Sequence, residues 1–277
     1  MNRFLISAGT LRQTLDENAT CVLRAIMSDP VNGTADISGS QIIPGALDIN
    51  IDEEGSDHSG DLPHTNLSPD ALAVLLGSLG ITENSDVVVY DNRGMFTAPR
   101  LWWMLKAAGH DKVTVLDGGW PAWQAAGYPD SGAAPQSGNA LYNPSSPVRK
   151  WFVNAEEVSN ALSQDIQIID ARSEARFYGE VEEPRQGLRR GHMPGAFNLP
   201  FQCVLDNGCF KSPEALKQIF ADKGIDLDKP IICSCGSGVT ACITGMAALL
   251  CGATDVSVYD GAWAEWGANS HFPVEVK

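Results

Sequence analysis

Late in the chain stands Cys235-Gly236-Ser237-Gly238-Val239-Thr240-Ala241, a cysteine followed by two closely spaced glycines and an apolar helix-forming run. Two glycines let the backbone curl tightly, so that successive N–H groups turn into one concavity with the positive end of the next helix behind it. A cysteine at that mouth has its thiolate stabilised and becomes a nucleophile. Taken alone, the loop fits a tight turn around a buried cysteine equally well. A second copy of the segment, without the cysteine, separates the two readings.

Residues from Val87 run parallel to residues from Pro230. Thr240 falls on Thr97, Gly252 on Gly109, Gly261 on Gly118, and Trp263 and Trp266 on Trp120 and Trp123, each 143 positions earlier. Upstream, SPDALAVLLGSLGI from Ser68 matches SPEALKQIFADKGI from Ser212 at an offset of 144, and IIPGALDI matches HMPGAFNL at 150. The first copy therefore carries 150 − 144 = 6 extra residues between its Pro-Gly and its Ser-Pro. On this alignment Asn92 stands where the second copy has Cys235 (235 − 143 = 92). The fold does not need the cysteine, which leaves chemistry as its reason. The expected organisation is a catalytically silent domain over 1–130, a Gly-, Pro- and Ser-rich linker over 131–150, and a catalytic domain over 151–277.

Each copy alternates short β-branched runs with helical patterns. In the second, Ile166 to Ile169, Pro230 to Cys233 and Val256 to Tyr259 read as strands, and Ser212 to Lys223 and Thr240 to Leu250 as helices. Gly109 and Gly252 follow helices, as C-terminal glycines do. Strand, helix, strand units at this spacing predict an α/β fold, twice over: in each copy a mostly parallel sheet flanked by helices. In such a sheet the loop after a central strand lies at the ligand-binding edge.

The 277 residues hold 34 acidic and 19 basic side chains, a net charge of −15, which argues against binding nucleic acid. No apolar run reaches the roughly 18 residues that span a bilayer, so no membrane is expected. The N-terminus lacks the long apolar region of a secretion signal. Seven cysteines, an odd number with six of them in the C-terminal half, predict a reducing cytoplasm. Cys233-Ser234-Cys235 has no second pair at zinc spacing, so no metal is expected. Cys21, Cys233, Cys242 and Cys251 read as buried thiols, Cys203 and Cys209 stay open, and the tryptophans read as core.

The paired copies, His192-Met193-Pro194-Gly195-Ala196, the cysteine loop and Asp260 to Trp266 together resemble the tandem-domain rhodanese-type sulfurtransferases, over most of the chain from Leu5 to Pro273. The loop is similar to that of the members acting on 3-mercaptopyruvate. The resemblance implies two rhodanese-like domains with an active site in the cleft between them, and no cofactor. Cys235 would take sulfane sulfur from 3-mercaptopyruvate as a persulfide, pass it to cyanide or to a thiol acceptor such as a thioredoxin-like protein, and release pyruvate. Gly236, Gly238, Val239 and Thr240 would supply the amides around the sulfur.

In members that prefer thiosulfate, a dianion, two cations follow the cysteine; here Gly236 and Ser237 stand there. The family's substrate arginines fall on Arg176 and Arg185, nine positions apart, and are assigned to the donor carboxylate. Arg189 and Arg190 read as surface or interdomain charges. The resemblance makes His64 the partner of Ser237 in a proton relay whose acid falls on Glu53, with Asp52 beside it. A cysteine phosphatase would need Arg six positions after the cysteine, where Ala241 stands. Thiosulfate sulfurtransferase and persulfide carrier to a partner protein remain the alternatives.

Overall fold

Ser68-Pro69 and Ser212-Pro213 start a helix in both copies for one reason: the serine hydroxyl caps an orphan N–H, and proline at the first turn lacks the N–H that would go unpaired. In the computed structural model, which describes residues 4–17, 20–28, 42–131, 138–147 and 149–276, Ser68 Oγ accepts from Ala71 N at 3.2 Å and Ser212 Oγ from Ala215 N at 3.3 Å.

The strands are β1 (Leu5–Ile6), β2 (Cys21–Ile26), β3 (Leu47–Asn50), β4 (Val87–Tyr90), β5 (Val113–Leu116), β6 (Phe152–Val153), β7 (Gln167–Asp170), β8 (Phe197–Asn198), β9 (Leu205–Asp206), β10 (Cys209–Phe210), β11 (Ile231–Ser234) and β12 (Val256–Tyr259). Two five-stranded sheets share one topology, β1-β5-β4-β2-β3 and β6-β12-β11-β7-β8, and their paired strands run parallel. The helices are α1 (Ala8–Asp16), α2 (Pro69–Ser78), α3 (Ala98–Ala107), α4 (Gly119–Ala125), α5 (Ala155–Ala161), α6 (Glu174–Phe177), α7 (Pro213–Asp222), α8 (Ala241–Leu250) and α9 (Ala262–Trp266).

The chain divides into two units. The first holds Met1–Asp57, Asn66–Arg149 and Asn207–Cys209; the second holds His58–Thr65, Lys150–Asp206 and Phe210–Lys277. In unit 1, Val88 and Tyr90 cluster with Leu11, Trp120 and Trp123 from α1 and α4 on one sheet face, and by strand alternation Val87 and Val89 serve the face where α3 lies. Unit 2 repeats this with Ile168, Ile232, Trp263 and Trp266. Helix α8 is buried on nearly every side, which is why its sequence is apolar all round.

Of the segment expected as a linker, 132–137 and 148 lie outside the described residues, and 138–147 packs on unit 1. Ala140 N donates to Gly77 O at 2.9 Å, Ser145 Oγ to Gly109 O at 2.9 Å, and buried Tyr142 pairs its hydroxyl with His110 Nδ1 at 3.0 Å. Gly109 (φ +77°) must be glycine, since a Cβ there would stand 2.3 Å from Ser145 O. Cys21 opens β2 half-buried rather than sitting in the core.

Candidate active site

Strand β11 ends at Ser234, and the next residue, Cys235, is 2% exposed at the carboxyl edge of the sheet. Gly238 (φ +77°) turns the chain back so that α8 begins at Ala241, directly behind the loop. The loop is held from two sides. Trp263 N donates to Cys235 O at 2.9 Å and Ala264 N to Gly236 O at 3.0 Å, while Cys242 Sγ donates to Gly238 O at 3.2 Å. Ala262 takes a left-handed backbone (φ +49°) to aim these amides, a strain of about 1–3 kcal/mol.

Unit 1 shows what such a loop holds. Sheet pairing sets Val87 against Val113 and Ile231 against Val256, and β5 precedes β12 by 256 − 113 = 143 residues, so β4 precedes β11 by 231 − 87 = 144. Trp120 N accordingly donates to Asp91 O at 2.9 Å where Trp263 N meets Cys235 O, and the turning glycine is Gly94 (φ +107°). The residue in the place of Cys235 is therefore Asp91, not Asn92: the loop of unit 1 has one more residue between its glycine and its helix, which a gapless offset hides. Buried Asp91 fills its own loop. Oδ2 accepts from the N–H groups of Phe96, Thr97 and Ala98 at 2.8, 2.9 and 2.9 Å, and Oδ1 from Arg93 N at 2.9 Å. Four amides converge on one internal anion.

Arg176 lies on short helix α6, 24% exposed, with its Nη2 3.0 Å from where a Cβ on Gly236 would stand. A side chain at position 236 would crowd the guanidinium and make it shift by a few tenths of an ångström or more. Glu183 grips Arg176 at two points, 2.6 Å from Nη2 and 3.2 Å from Nε, and also accepts from Arg172 Nη1 at 2.9 Å. Arg172 is fully buried, bonded to both Asp170 oxygens and to Gly191 O, with its guanidinium carbon 4.2 Å over the Trp263 ring. Burial works against this cation, but Asp170, Glu183 and Cys235 outweigh it and hold the Arg172 pKa above its ordinary value.

Sequence reasoning missed Asp170, Arg172 and Glu183. The signal for the first two was their place, a charged pair at and just past the end of an apolar strand. Glu183 was masked by the acids around it, of which Glu182 is exposed and pairs with Arg190, and Glu174 is exposed near Lys223. Arg185 is half-buried. Arg189, expected at the surface or between domains, is half-buried: it donates to the carbonyls of Trp266, Gly267, Asn269 and Phe272 and staples the C-terminal segment, since the end of α9 leaves carbonyls that a guanidinium fork satisfies.

His64 stands in unit 2 with a left-handed backbone (φ +58°), and its Nδ1 lies 2.9 Å from Ser237 Oγ. Glu53 belongs to unit 1, exposed in the turn after β3, where its N–H donates to Asn50 O and its carbonyl accepts from Ser56 N. Asp52 Oδ2 accepts from Ser28 N at 2.7 Å. Cys203 is exposed and Cys209 half-buried; Cys233, Cys242 and Cys251 are buried, as expected, and burial pushes the Cys233 thiol up to about 12 and that of Cys251 to about 11. The described residues contain no group of His, Cys, Asp and Glu that could hold a metal, and no helix long and apolar enough to cross a membrane.

A rhodanese-like domain matches residues 35–126 and again 154–269. The chain is 39% identical to the 3-mercaptopyruvate sulfurtransferase of Escherichia coli over 98% of both chains, and 42% identical to the thiosulfate sulfurtransferase of Gallus gallus over 81% of this chain and 78% of that one. The crystal structure of the Escherichia coli 3-mercaptopyruvate sulfotransferase covers 95% of this chain and 99% of its own, with a TM-score of 0.85 at 36% identity. Two matched domains, two sheets of one topology and a buried cysteine in the loop between β11 and α8 agree with these likenesses, and the chain belongs to the rhodanese-like family, in its two-domain sulfurtransferase branch.

Proposed function

We propose that this chain transfers sulfane sulfur from 3-mercaptopyruvate through a persulfide on Cys235, with unit 2 catalytic and unit 1 silent. The observation that carries the proposal is the exchange of Asp91 for Cys235 in equivalent loops: a seat whose amides hold a carboxylate in one unit is offered to a sulfur anion in the other. The Cys235 thiolate attacks the donor's sulfur. An S–S bond forms, the donor's C–S bond breaks, and its electron pair becomes the enolate of pyruvate. The donor's own thiol proton, relayed through the Ser237 hydroxyl and the His64 ring, ends on that carbon. A thiol or cyanide then attacks the outer sulfur, the S–S bond breaks, and the thiolate returns.

Arg176, with Arg185, binds the donor carboxylate in this proposal, and Gly236, Gly238, Val239 and Thr240 provide the loop that surrounds the sulfur. Gly236 supports the donor choice, because its missing side chain lets Arg176 lie against the loop. Seven free thiols suit a reducing compartment, and cytoplasm is part of the proposal. The relatives' names include thiosulfate as well as 3-mercaptopyruvate, so both donors belong in the test.

That test is kcat/KM for 3-mercaptopyruvate and for thiosulfate with one common acceptor, with Cys235→Ser as control. The expected result is a ratio favouring mercaptopyruvate and no turnover in the control. A preference for thiosulfate overturns the donor assignment and keeps the persulfide. No turnover with either overturns the enzyme in favour of a persulfide carrier.

A further inference from the structure

A carboxylate buried beside a seat for anionic donors is a liability unless it does something there. Glu183 is such a group: its side chain is 1% exposed, and it bridges Arg176, which lies over Gly236, to Arg172, which is stacked on Trp263. The link is continuous, since the N–H of Trp263 holds Cys235 O. Arg176 alone would be a flexible side chain able to take many rotamers. Clamped at two nitrogens by an acceptor that is itself immobile, it presents one fixed face to the loop.

The cluster also sets charge. Asp170 and Glu183 balance Arg172 and Arg176, so the four buried or half-buried groups sum to zero, and removing the Glu183 charge would leave the cluster one unit positive. Electrostatic energy scales with the charge of the ligand, so a carboxylate near the seat repels a dianion about twice as strongly as a monoanion at the same distance. Among the described residues of unit 1 no such cluster stands at the equivalent strand end. At the position of Asp170 it carries Arg24, paired laterally with Asp48 at 2.7 Å.

We propose that Glu183 is a positioning and specificity-determining residue, which fixes the Arg176 guanidinium over Gly236 and matches the seat to a donor bearing one negative charge rather than two. The inference rests on the sulfurtransferase proposal for its donors but not for its sign. The experiment takes the full chain and its Glu183→Gln and Glu183→Asp variants, and measures kcat/KM for 3-mercaptopyruvate and for thiosulfate with one acceptor. Glu183→Gln is expected to raise KM for mercaptopyruvate about tenfold with a smaller change in kcat, and to raise the thiosulfate-to-mercaptopyruvate ratio about tenfold. Glu183→Asp, which keeps the charge and shortens the reach, is expected to raise KM and leave the ratio near that of the parent. An equal loss with both donors in Glu183→Gln, or a ratio moved as far by Glu183→Asp, overturns the proposal.

A second arm needs no turnover. In a Cys235→Ser background, Glu183→Gln is expected to strengthen the binding of sulfate relative to pyruvate about tenfold, and an unchanged relative affinity overturns the charge match even if the parent turns over neither donor. Where Glu183→Gln fails to fold, Glu183→Asp decides alone: a KM unchanged from the parent, or a moved ratio, overturns it.

Discussion

The loop after β4 and the loop after β11 leave their sheets at the same place and are held there by equivalent tryptophan backbone N–H groups, yet one is filled by its own carboxylate and the other carries a cysteine at that position. In unit 1 four amides end on the Asp91 carboxylate. In unit 2 the place is taken by a thiol, whose anion is softer and can bond to a further sulfur. The difference teaches that the seat is a property of the fold, a strand end and a helix start facing one another, while the chemistry is a property of one residue. The loop of unit 1 keeps its shape without a cysteine because its converging amides find their acceptor in Asp91.

The largest effect that bears on this comparison is Cys235→Asp, which copies the solution of unit 1 into unit 2. Turnover should fall by on the order of 10⁴-fold or more, while the thermal midpoint stays level or rises because the seat is filled. The reverse change sharpens the register. In a Cys235→Ser background, Asp91→Cys should give a thiol that alkylates at lower pH than the thiol of Asn92→Cys, since position 91 faces the amides. Equal profiles for the two thiols would show that the one-residue shift between the loops is wrong.

Next in size is the ion-pair cluster, which separates the units just as sharply. Arg172→Met leaves Asp170 and Glu183 buried without their shared cation and should cost about 3–5 kcal/mol of stability. Replacing Val22, in the core of unit 1, by Ala should cost less, about 2 kcal/mol. Denaturant midpoints read both. A loss under about 1 kcal/mol for Arg172→Met would mean that water reaches the cluster.

How much of this was legible in the sequence follows from what leaves a local trace. The parallel sheets and the Ser-Pro helix starts do, because periodicity and caps are local. So does the Cys235 loop, whose glycines are the condition for its shape. Asp91 left no trace: the shift arises from one extra residue in a loop, and tryptophans aligned after it dictate the offset. Arg172 and Glu183 lie eleven residues apart and meet because the strand end and the 183–191 segment fold together. Arg189 looked like a surface charge because nothing in its neighbours tells that carbonyls from 266 to 272 end beside it.

A smaller effect concerns unit 1 alone. Burial pushes the His110 pKa below its ordinary 6.5, and burial pushes the Tyr142 hydroxyl up to about 12. Between those limits both are neutral and hydrogen-bonded, which pins residues 138–147 to the turn that follows α3. His110 binds a proton more readily unfolded than folded, so its contribution is present above pH 6.5 and is lost as pH falls toward the folded value. Stability should drop by at most about 1.4 kcal/mol per pH unit in that window. Melting curves from pH 7 to pH 5 should be flatter for His110→Gln than for the parent; parallel curves would remove the histidine from the account.

The smallest expected effect is at Glu53. Glu53 is exposed, and an exposed charge is typically worth no more than about 1 kcal/mol to a partner, a factor of about five. His64 is different in kind, since its ring nitrogen is already 2.9 Å from the Ser237 hydroxyl and its left-handed backbone shows that the fold accepts strain to hold it there. Glu53→Gln should therefore lower kcat for mercaptopyruvate by no more than about fivefold, against about a hundredfold for His64→Gln. The two losses also differ in salt dependence: the Glu53 effect should fade between 20 mM and 500 mM salt, concentrations chosen to span the screening of exposed charges, while the His64 effect persists. A Glu53→Gln loss as large and as salt-resistant as that of His64→Gln would make the acid a full member of the relay.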